Sequence, residues 1–152
     1  MSEERQARQV EIQARQVEIK TNDLLDSYIK EFAEDVKLTN FNLREKAMTT
    51  SSIWAKWLSY LYKEKENLSR IVETRQKIMK KKMAGVKAQD SVLRMKSEDR
   101  LVEGDETILK LKELERKTQT NIDYIERALN VLQNFGFSVK NSLEAFKLNF
   151  ER

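Results

Sequence analysis

The sequence lacks cysteine, histidine and proline, and it has only three glycines among its 152 residues. Without cysteine the chain has no disulfides and no thiolate chemistry, which fits a reducing compartment. Without histidine it lacks the usual general base near neutral pH. Gly85, Gly104 and Gly136 are isolated from one another, so no phosphate-binding glycine loop exists. We therefore expect a protein with no enzymatic activity, no metal and no cofactor.

Long apolar runs are also missing. No run approaches the roughly 20 residues that span a bilayer, and the N-terminus is charged rather than signal-like. These features predict a cytoplasmic protein. Because proline is the strongest helix breaker and glycine is scarce, the fold class expected is all-α, built from long amphipathic helices. Apolar residues make up 39% of the chain, enough for a thin core.

Positive charge is concentrated in one segment, from Arg75 to Lys96. It holds eight lysines or arginines and one acid, Asp90, for a net charge of +7, whereas the rest of the chain has 21 basic and 24 acidic residues. A local basic zone on a mildly acidic body is typical of a polyanion binder. The alternative is a solvated helix face.

The N-terminal residues contain a heptad repeat. The segment Gln6–Ile12 recurs as Gln13–Ile19, and the small residues of its seam predict a weak coiled-coil contact. Residues 1–21 therefore form either a solvated helical extension or a helical arm that docks on a neighbour. A second helical pattern starts near Asn22 and ends near Val36.

A long helix is predicted from residues 40–42 to about Met83. Its apolar stripe includes Trp54 and Trp57, which we expect in a core or interface. Tyr60 and Tyr62 lie outside the stripe and are candidates for stacking on bases. Opposite the stripe runs a basic row suited to a phosphate backbone, or to salt bridges with neighbouring glutamates: Lys56, Lys63, Arg70, Lys77 and Lys81.

Two glycines are predicted to interrupt the helices that follow. Gly85 is expected to loosen or end the long helix, and Asp90-Ser91 to start a short one. Asp105 is expected to cap a helix with a regular apolar seam, and Gly136 to end it. A last helix beyond Gly136 then completes a C-terminal helical hairpin. We accordingly divide the chain into an arm (1–21), an N-terminal helical region (22–103) and a C-terminal helical region (104–152).

The apolar faces of this hairpin exceed what one chain of this length is expected to cover. They therefore predict a homo-oligomer. The residues assigned to oligomerisation are Ile122, Ile125, Leu129, Leu132, Phe135, Phe137, Leu143 and Phe146.

Four stretches in the same order resemble the UvsY recombination mediator proteins of T-even-type bacteriophages. Ala55-Lys56-Trp57-Leu58 resembles the family's Ser-Lys-Trp-Leu, and Ser69-Arg70-Ile71 matches without a gap. Met79-Lys80-Lys81-Lys82-Met83 falls where the family has its DNA-binding element, Leu-Lys-Ala-Arg-Leu. Phe135-Gly136-Phe137-Ser138-Val139-Lys140 resembles Arg-Gly-Phe-Ala-Ile-Lys. The family's aromatic residues after its DNA-binding element have no counterpart here, where Ala84-Gly85-Val86 follows.

This resemblance implies a non-catalytic mediator that binds single-stranded DNA coated by a single-strand-binding protein and helps to load a RecA-like recombinase. It also implies rings of six or seven subunits, in the host cytoplasm if the chain is phage-encoded. By position Lys80 and Lys82 match the family's DNA contacts. Combined with the basic row, the predicted DNA-binding residues are Lys56, Lys63, Arg70, Arg75, Lys77, Lys80, Lys81, Lys82 and Lys87.

Two other functions fit the same sequence. A coiled-coil scaffold that binds only protein explains the heptads equally well, and a membrane-surface helix is a third reading, which the length and regularity of the stripe disfavour. The DNA-binding assignment also has a geometric difficulty. On an ideal helix Lys80 and Lys82 point about 200° apart. Both reach one DNA strand only if the helix ends or distorts near Lys82, or if DNA contacts several subunits.

Overall fold

The computed structural model describes residues 2–89 and 105–150, and the regular elements in this part are all helices. They are α1 (Ser2–Asp35), α2 (Leu43–Gln89) and α3 (Glu106–Phe150). The prediction of an all-α fold with long helices is confirmed. No helix among these residues has a stretch apolar enough to pass through a bilayer. The predicted short helix after Asp90 falls outside the described residues.

Helix α1 is longer than the sequence patterns predicted. It runs without interruption through Asn22, so the predicted helix start there is wrong. The heptad repeat is helical, and Ile12 within it is exposed. A connector follows α1 and contains no strand. The side chain of Asn42 orders it by accepting a hydrogen bond from Thr39 N (2.7 Å) and donating one to Lys37 O (2.9 Å).

Both helix ends predicted at glycines are absent. Helix α2 continues past Gly85 to Gln89, and α3 continues past Gly136 to Phe150. Neither glycine has a positive φ, so neither adopts the left-handed conformation of a helix cap. The predicted C-terminal hairpin is therefore wrong.

The apolar stripe of α3 explains why the helix does not end at Gly136. After Leu132 the stripe continues in steps of three, four and four residues to Phe135, Val139 and Leu143. Val139 is almost fully buried. Because the phase of the stripe is unchanged on both sides of Gly136, a single helix buries it, whereas a turn would withdraw Val139 from the core.

Contacts divide the chain into two compact units. The first unit comprises Met1–Asp23 and Lys65–Thr120, and the second comprises Leu24–Glu64 and Asn121–Arg152. The three-part division predicted from the sequence stays a prediction. In the first unit, Ile71 on α2 forms a core with Leu111 and Leu114 on α3, and Ile78 packs against it.

The core of the second unit is aromatic. Trp57 on α2 is completely buried, as predicted, and its ring packs edge-on against Phe32 of α1, with centroids 5.3 Å apart. Phe32 also meets Tyr124 of α3 edge-on, at 6.3 Å. Such pairs each contribute about 0.5–1.5 kcal/mol beyond the area they bury. Trp57 and its neighbours thereby join all three helices within this unit.

One acidic side chain is buried in the same unit. Glu64 of α2 is only 2% exposed. It accepts a hydrogen bond of 2.8 Å from the Tyr28 hydroxyl and one of 3.5 Å from Asn121 Nδ2. Burial, together with the hydrogen bond to Glu64, raises the pKa of Tyr28 well above its usual range. The hydroxyl therefore stays protonated and available as a donor to Glu64 throughout the physiological pH range.

Replacing Tyr28 by phenylalanine tests the contribution of this contact. The change leaves the ring in place but removes a donor from a buried carboxyl group, so we expect the free energy of unfolding to fall by about 1–3 kcal/mol. Tyr62→Phe is the matched control, because Tyr62 is exposed. Urea denaturation measures both. Equal stabilities of the two variants would contradict the importance of the Tyr28–Glu64 hydrogen bond.

The glycine positions give a test of the continuous helices. A Cβ at Gly85 meets no atom within 4 Å, and one at Gly136 lies 3.4 Å from Thr50 Cγ2. Since glycine destabilises a helix interior, Gly85→Ala and Gly136→Ala should each raise the free energy of unfolding by about 0.5–1 kcal/mol. A turn at either glycine would give the opposite sign in urea denaturation, because alanine disfavours a positive φ.

Candidate nucleic-acid interface

The predicted DNA-binding residues all lie on α2, but their surroundings differ. Their placement follows from the helix that carries them: the apolar stripe packs inward, and the opposite side faces solvent. Lys56 and Lys63 belong to the second unit and the others to the first. Lys87 lies near the end of α2, and its side chain falls outside the described part of the chain.

Lys56 is held by acids of its own chain. Its ammonium lies 2.9 Å from Glu31 and 2.6 Å from Asp35, both on α1. The same carboxylates accept hydrogen bonds from the Tyr60 hydroxyl (2.9 Å, to Glu31) and from Trp57 Nε1 (2.8 Å, to Asp35). We call these five residues the Lys56 cluster.

The contacts within the Lys56 cluster favour the charged form of Lys56 and the neutral form of Tyr60. Desolvation acts to lower the pKa of Lys56, but the hydrogen bonds and charges of Asp35 and Glu31 outweigh it and raise the pKa. Burial and the bond to Glu31 raise the pKa of Tyr60. The charge of Lys56 thus joins α1 to α2 through Glu31 and Asp35. The hydroxyl of Tyr60, a candidate for base stacking, is hydrogen-bonded in the same cluster.

Two further cations pair with acids near or on α3. Arg75 Nε lies 2.9 Å from Glu115 Oε2, and a second guanidinium nitrogen lies 3.6 Å from Met79 Sδ. Lys82 forms an ion pair with Asp105. Glu115 is a polar residue within the otherwise mainly apolar seam of α3, and Arg75 is its partner there.

Asp105 also caps α3, as predicted. Its carboxylate accepts hydrogen bonds from Thr107 N (2.9 Å) and Ile108 N (3.4 Å). Partial burial acts to raise the pKa of Asp105, but the Lys82 ammonium and these backbone donors outweigh it and hold the pKa below its usual value. The carboxylate is therefore ionised at neutral pH, and it contacts both the Lys82 ammonium and the backbone N–H groups of α3.

The remaining cations face solvent. Arg70 pairs with Glu66 at 2.7 Å and Lys77 with Glu73 at 2.9 Å, in both cases four residues apart on the exposed side of α2. Pairs of this kind contribute only about 0.3–0.5 kcal/mol. Within residues 2–89 and 105–150, three exposed lysines of the predicted set make no ion pair: Lys63, Lys80 and Lys81.

The first unit brings several of these cations onto one face. Lys77 is three residues from Lys80 and four from Lys81, so the three ammonium groups project from adjacent turns of α2. Lys82 projects away from this face toward Asp105. Since α2 continues to Gln89, the helix does not end near Lys82, and that solution to the opposed directions of Lys80 and Lys82 is wrong.

The sequence patterns predicted the neighbouring glutamates that pair with Arg70 and Lys77, but not the acids that pair with Lys56 and Lys82. Glu31, Asp35 and Asp105 are far from their lysine partners along the chain, so only the packing of helices pairs them. No group of three or more acidic side chains in the described ranges is placed to hold a metal ion. The other aromatic candidate, Tyr62, is exposed and remains available for stacking.

Most of the residues assigned to oligomerisation contribute to the core of the second unit. Five are buried within the single chain: Ile122, Ile125, Leu129, Leu132 and Phe135. Leu143 is half-buried. Phe137, Phe146 and Phe150 are exposed, and the last two rings lie 4.9 Å apart near the end of α3. Of the residues assigned to oligomerisation, the two that are exposed, Phe137 and Phe146, therefore lie in the C-terminal part of α3.

Comparisons with known proteins give one family and one fold. The family model described as recombination, repair and ssDNA binding protein UvsY matches residues 31–150. A crystal structure of the recombination mediator protein UvsY of bacteriophage T4 is similar with a TM-score of 0.69 and 19% identity, covering 81% of this chain and 98% of that one. A second crystal form of the T4 protein is similar with a TM-score of 0.66 and 18% identity, covering 82% of this chain and 97% of that one. A search of curated protein sequences finds no match.

The Lys56 cluster predicts a structural role for Lys56. Lys56→Met leaves Glu31 and Asp35 without their cation, and we expect it to lower the free energy of unfolding by about 1 kcal/mol, since the cluster is partly exposed. The matched change, Lys63→Met, removes an unpaired exposed lysine and should alter stability by less than about 0.5 kcal/mol. Urea denaturation distinguishes the two. A loss of stability in Lys63→Met as large as in Lys56→Met would contradict the assignment.

Proposed function

Because the chain belongs to the UvsY family of recombination, repair and single-stranded DNA-binding proteins, we propose that it is a recombination mediator. In this proposal it binds single-stranded DNA that is coated by a single-strand-binding protein and promotes loading of a RecA-like recombinase. It acts without catalysing a reaction itself. The observation that carries the proposal is the exposed cationic face of α2, which lies within the residues that match the family.

Phosphate contacts come from the cations that the fold leaves accessible. Lys80 and Lys81 form the centre of the proposed site, and Lys77 and Arg70 join it by exchanging a solvent-exposed glutamate for phosphate. This exchange is easy because each exposed pair is weak. Lys63 adds an unpaired charge in the second unit. Lys56 is assigned to the fold rather than to DNA, because two carboxylates already hold it.

The proposed binding is independent of base sequence. Lysines bind phosphate as point charges and read no base edges. Few accessible cations per chain make the affinity of one subunit low, and because the contacts are electrostatic this affinity falls as salt is added. A homo-oligomer of six or seven subunits would raise the affinity through multivalency, and the exposed phenylalanines near the end of α3 are suited to contacts between copies.

The proposed partners follow from family membership. A mediator must act where the coated single strand and the recombinase meet, so the proposed location is the cytoplasm of the host cell. The competing function, a scaffold that binds only protein, is supported by the glutamates that neutralise Arg70 and Lys77 on the same face.

Removing the two unpaired lysines tests the DNA site. Lys80→Ala/Lys81→Ala should weaken binding of a labelled single-stranded oligonucleotide about tenfold at moderate salt. The slope of log K against log salt should become less negative by about 1.4, since each phosphate contact on a single strand contributes about 0.7. Fluorescence anisotropy over a salt series measures both quantities.

The matched control is Lys112→Ala/Lys140→Ala, which removes the same charge from exposed positions of α3. This control should bind DNA nearly as the unchanged protein does, and light scattering should give the same mass for all three. If the α2 and α3 variants lose equal affinity, net charge rather than the α2 face governs binding. If the unchanged protein does not retain DNA at physiological salt, the scaffold function is correct.

A further inference from the structure

Lys82 is the one lysine of the matched Met79–Met83 element whose ammonium is already occupied. Its partner is Asp105, the residue that caps α3. Both side chains are about one-third exposed, 36% for Lys82 and 29% for Asp105. The ion pair therefore lies at the surface of the first unit, where an incoming phosphate can reach the ammonium group.

Asp105 differs from the acids that pair with the exposed cations Lys77 and Arg70. Glu73 and Glu66 have no second partner among the contacts found for them, whereas Asp105 also accepts hydrogen bonds from Thr107 N and Ile108 N. If Lys82 leaves, the Asp105 carboxylate keeps these donors and the favourable field at the start of a helix. Both partners of the ion pair are thus satisfied after it opens, provided that Lys82 finds another anion.

We propose that Asp105 is an intramolecular competitor of DNA phosphate for Lys82. In the free protein the Asp105 carboxylate forms an ion pair with the Lys82 ammonium. On binding, a phosphate replaces the carboxylate and Asp105 remains as the cap of α3. This inference rests on the proposed function, because it requires that the α2 element bind single-stranded DNA.

The exchange has two consequences for binding. The apparent affinity of DNA is lowered by the fraction of molecules in which Asp105 holds Lys82. In this proposal Lys80 is accessible throughout, whereas Lys82 becomes available to phosphate only when it leaves Asp105. Arg75 is less suited to such exchange because its side chain is only 20% exposed and its guanidinium also contacts Met79.

The test is Asp105→Asn, which keeps a good helix cap and removes the competing charge. We expect its affinity for a single-stranded oligonucleotide to rise about three- to tenfold at low salt, with a log–log salt slope more negative by about 0.7, the value for one added phosphate contact. Glu106→Gln is the matched control. It removes a neighbouring charge from the same helix start, but its partner is Lys110, at 3.1 Å.

A double-mutant cycle with Lys82→Ala completes the test. Lys82→Ala should cost little affinity when Asp105 is present and several-fold more in the Asp105→Asn protein, because only there is the lysine free to bind phosphate. Circular dichroism checks that each variant is folded. Asp105→Ser, a neutral cap, replaces Asp105→Asn if that variant is unfolded.

The outcomes separate this inference from the function on which it rests. If Asp105→Asn and Glu106→Gln raise affinity equally, the effect is general electrostatics and the competition is refuted. If the unchanged protein binds DNA and Asp105→Asn leaves both affinity and slope the same, the competition alone is refuted. If no variant binds single-stranded DNA, the proposed function fails and the inference fails with it.

Discussion

The fold depends on one continuous, mainly apolar stripe along α3 that keeps the same phase from Ile108 to Val139. Steps of three and four residues carry it from Ile108 through Ile125 to Val139, and all three side chains are almost completely withdrawn from water. Burying a side chain of this size contributes about 1.5–3 kcal/mol, so the stripe outweighs the roughly 1 kcal/mol cost of a glycine in the helix interior. Both compact units take buried α3 residues from this stripe.

Packing of the helices determines which cations of α2 form ion pairs with acids on other elements and which stay exposed to solvent. A cation brought close to another helix loses water and needs an anion in return, and Glu31, Asp35, Glu115 and Asp105 supply it. A cation on the outer side of α2 keeps its water and stays accessible. The described cations of α2 therefore do not form one uniform surface. Some hold the fold, some are exposed and unpaired or weakly paired, and Lys82 has a partner that lies exposed at a helix start.

This division suits a protein that must bind DNA and also release it. A mediator of the proposed kind contacts a strand that other proteins occupy before and after it, so tight permanent binding by each subunit would obstruct exchange. In the proposed function, a few exposed lysines per chain make weak contacts that salt disrupts, and repetition in the proposed homo-oligomer raises the overall affinity. An acid that competes with phosphate would lower the affinity further without removing a lysine from the site.

The sequence by itself determined the helical class, the buried face of α3, the core position of Trp57 and the cap at Asp105, because periodicity and capping are local properties. Near Gly136 two local patterns conflict, because the glycine favours a helix end whereas the unchanged phase of the stripe favours a continuous helix, and the burial of Val139 decides for the helix. Only the tertiary structure decided which cations are available. Lys56 lies 21 residues from Asp35, and Lys82 lies 23 from Asp105. Lys56 and Lys63 occupy equivalent positions on α2, yet one is paired and the other free, since ion pairs between helices depend on how the helices pack.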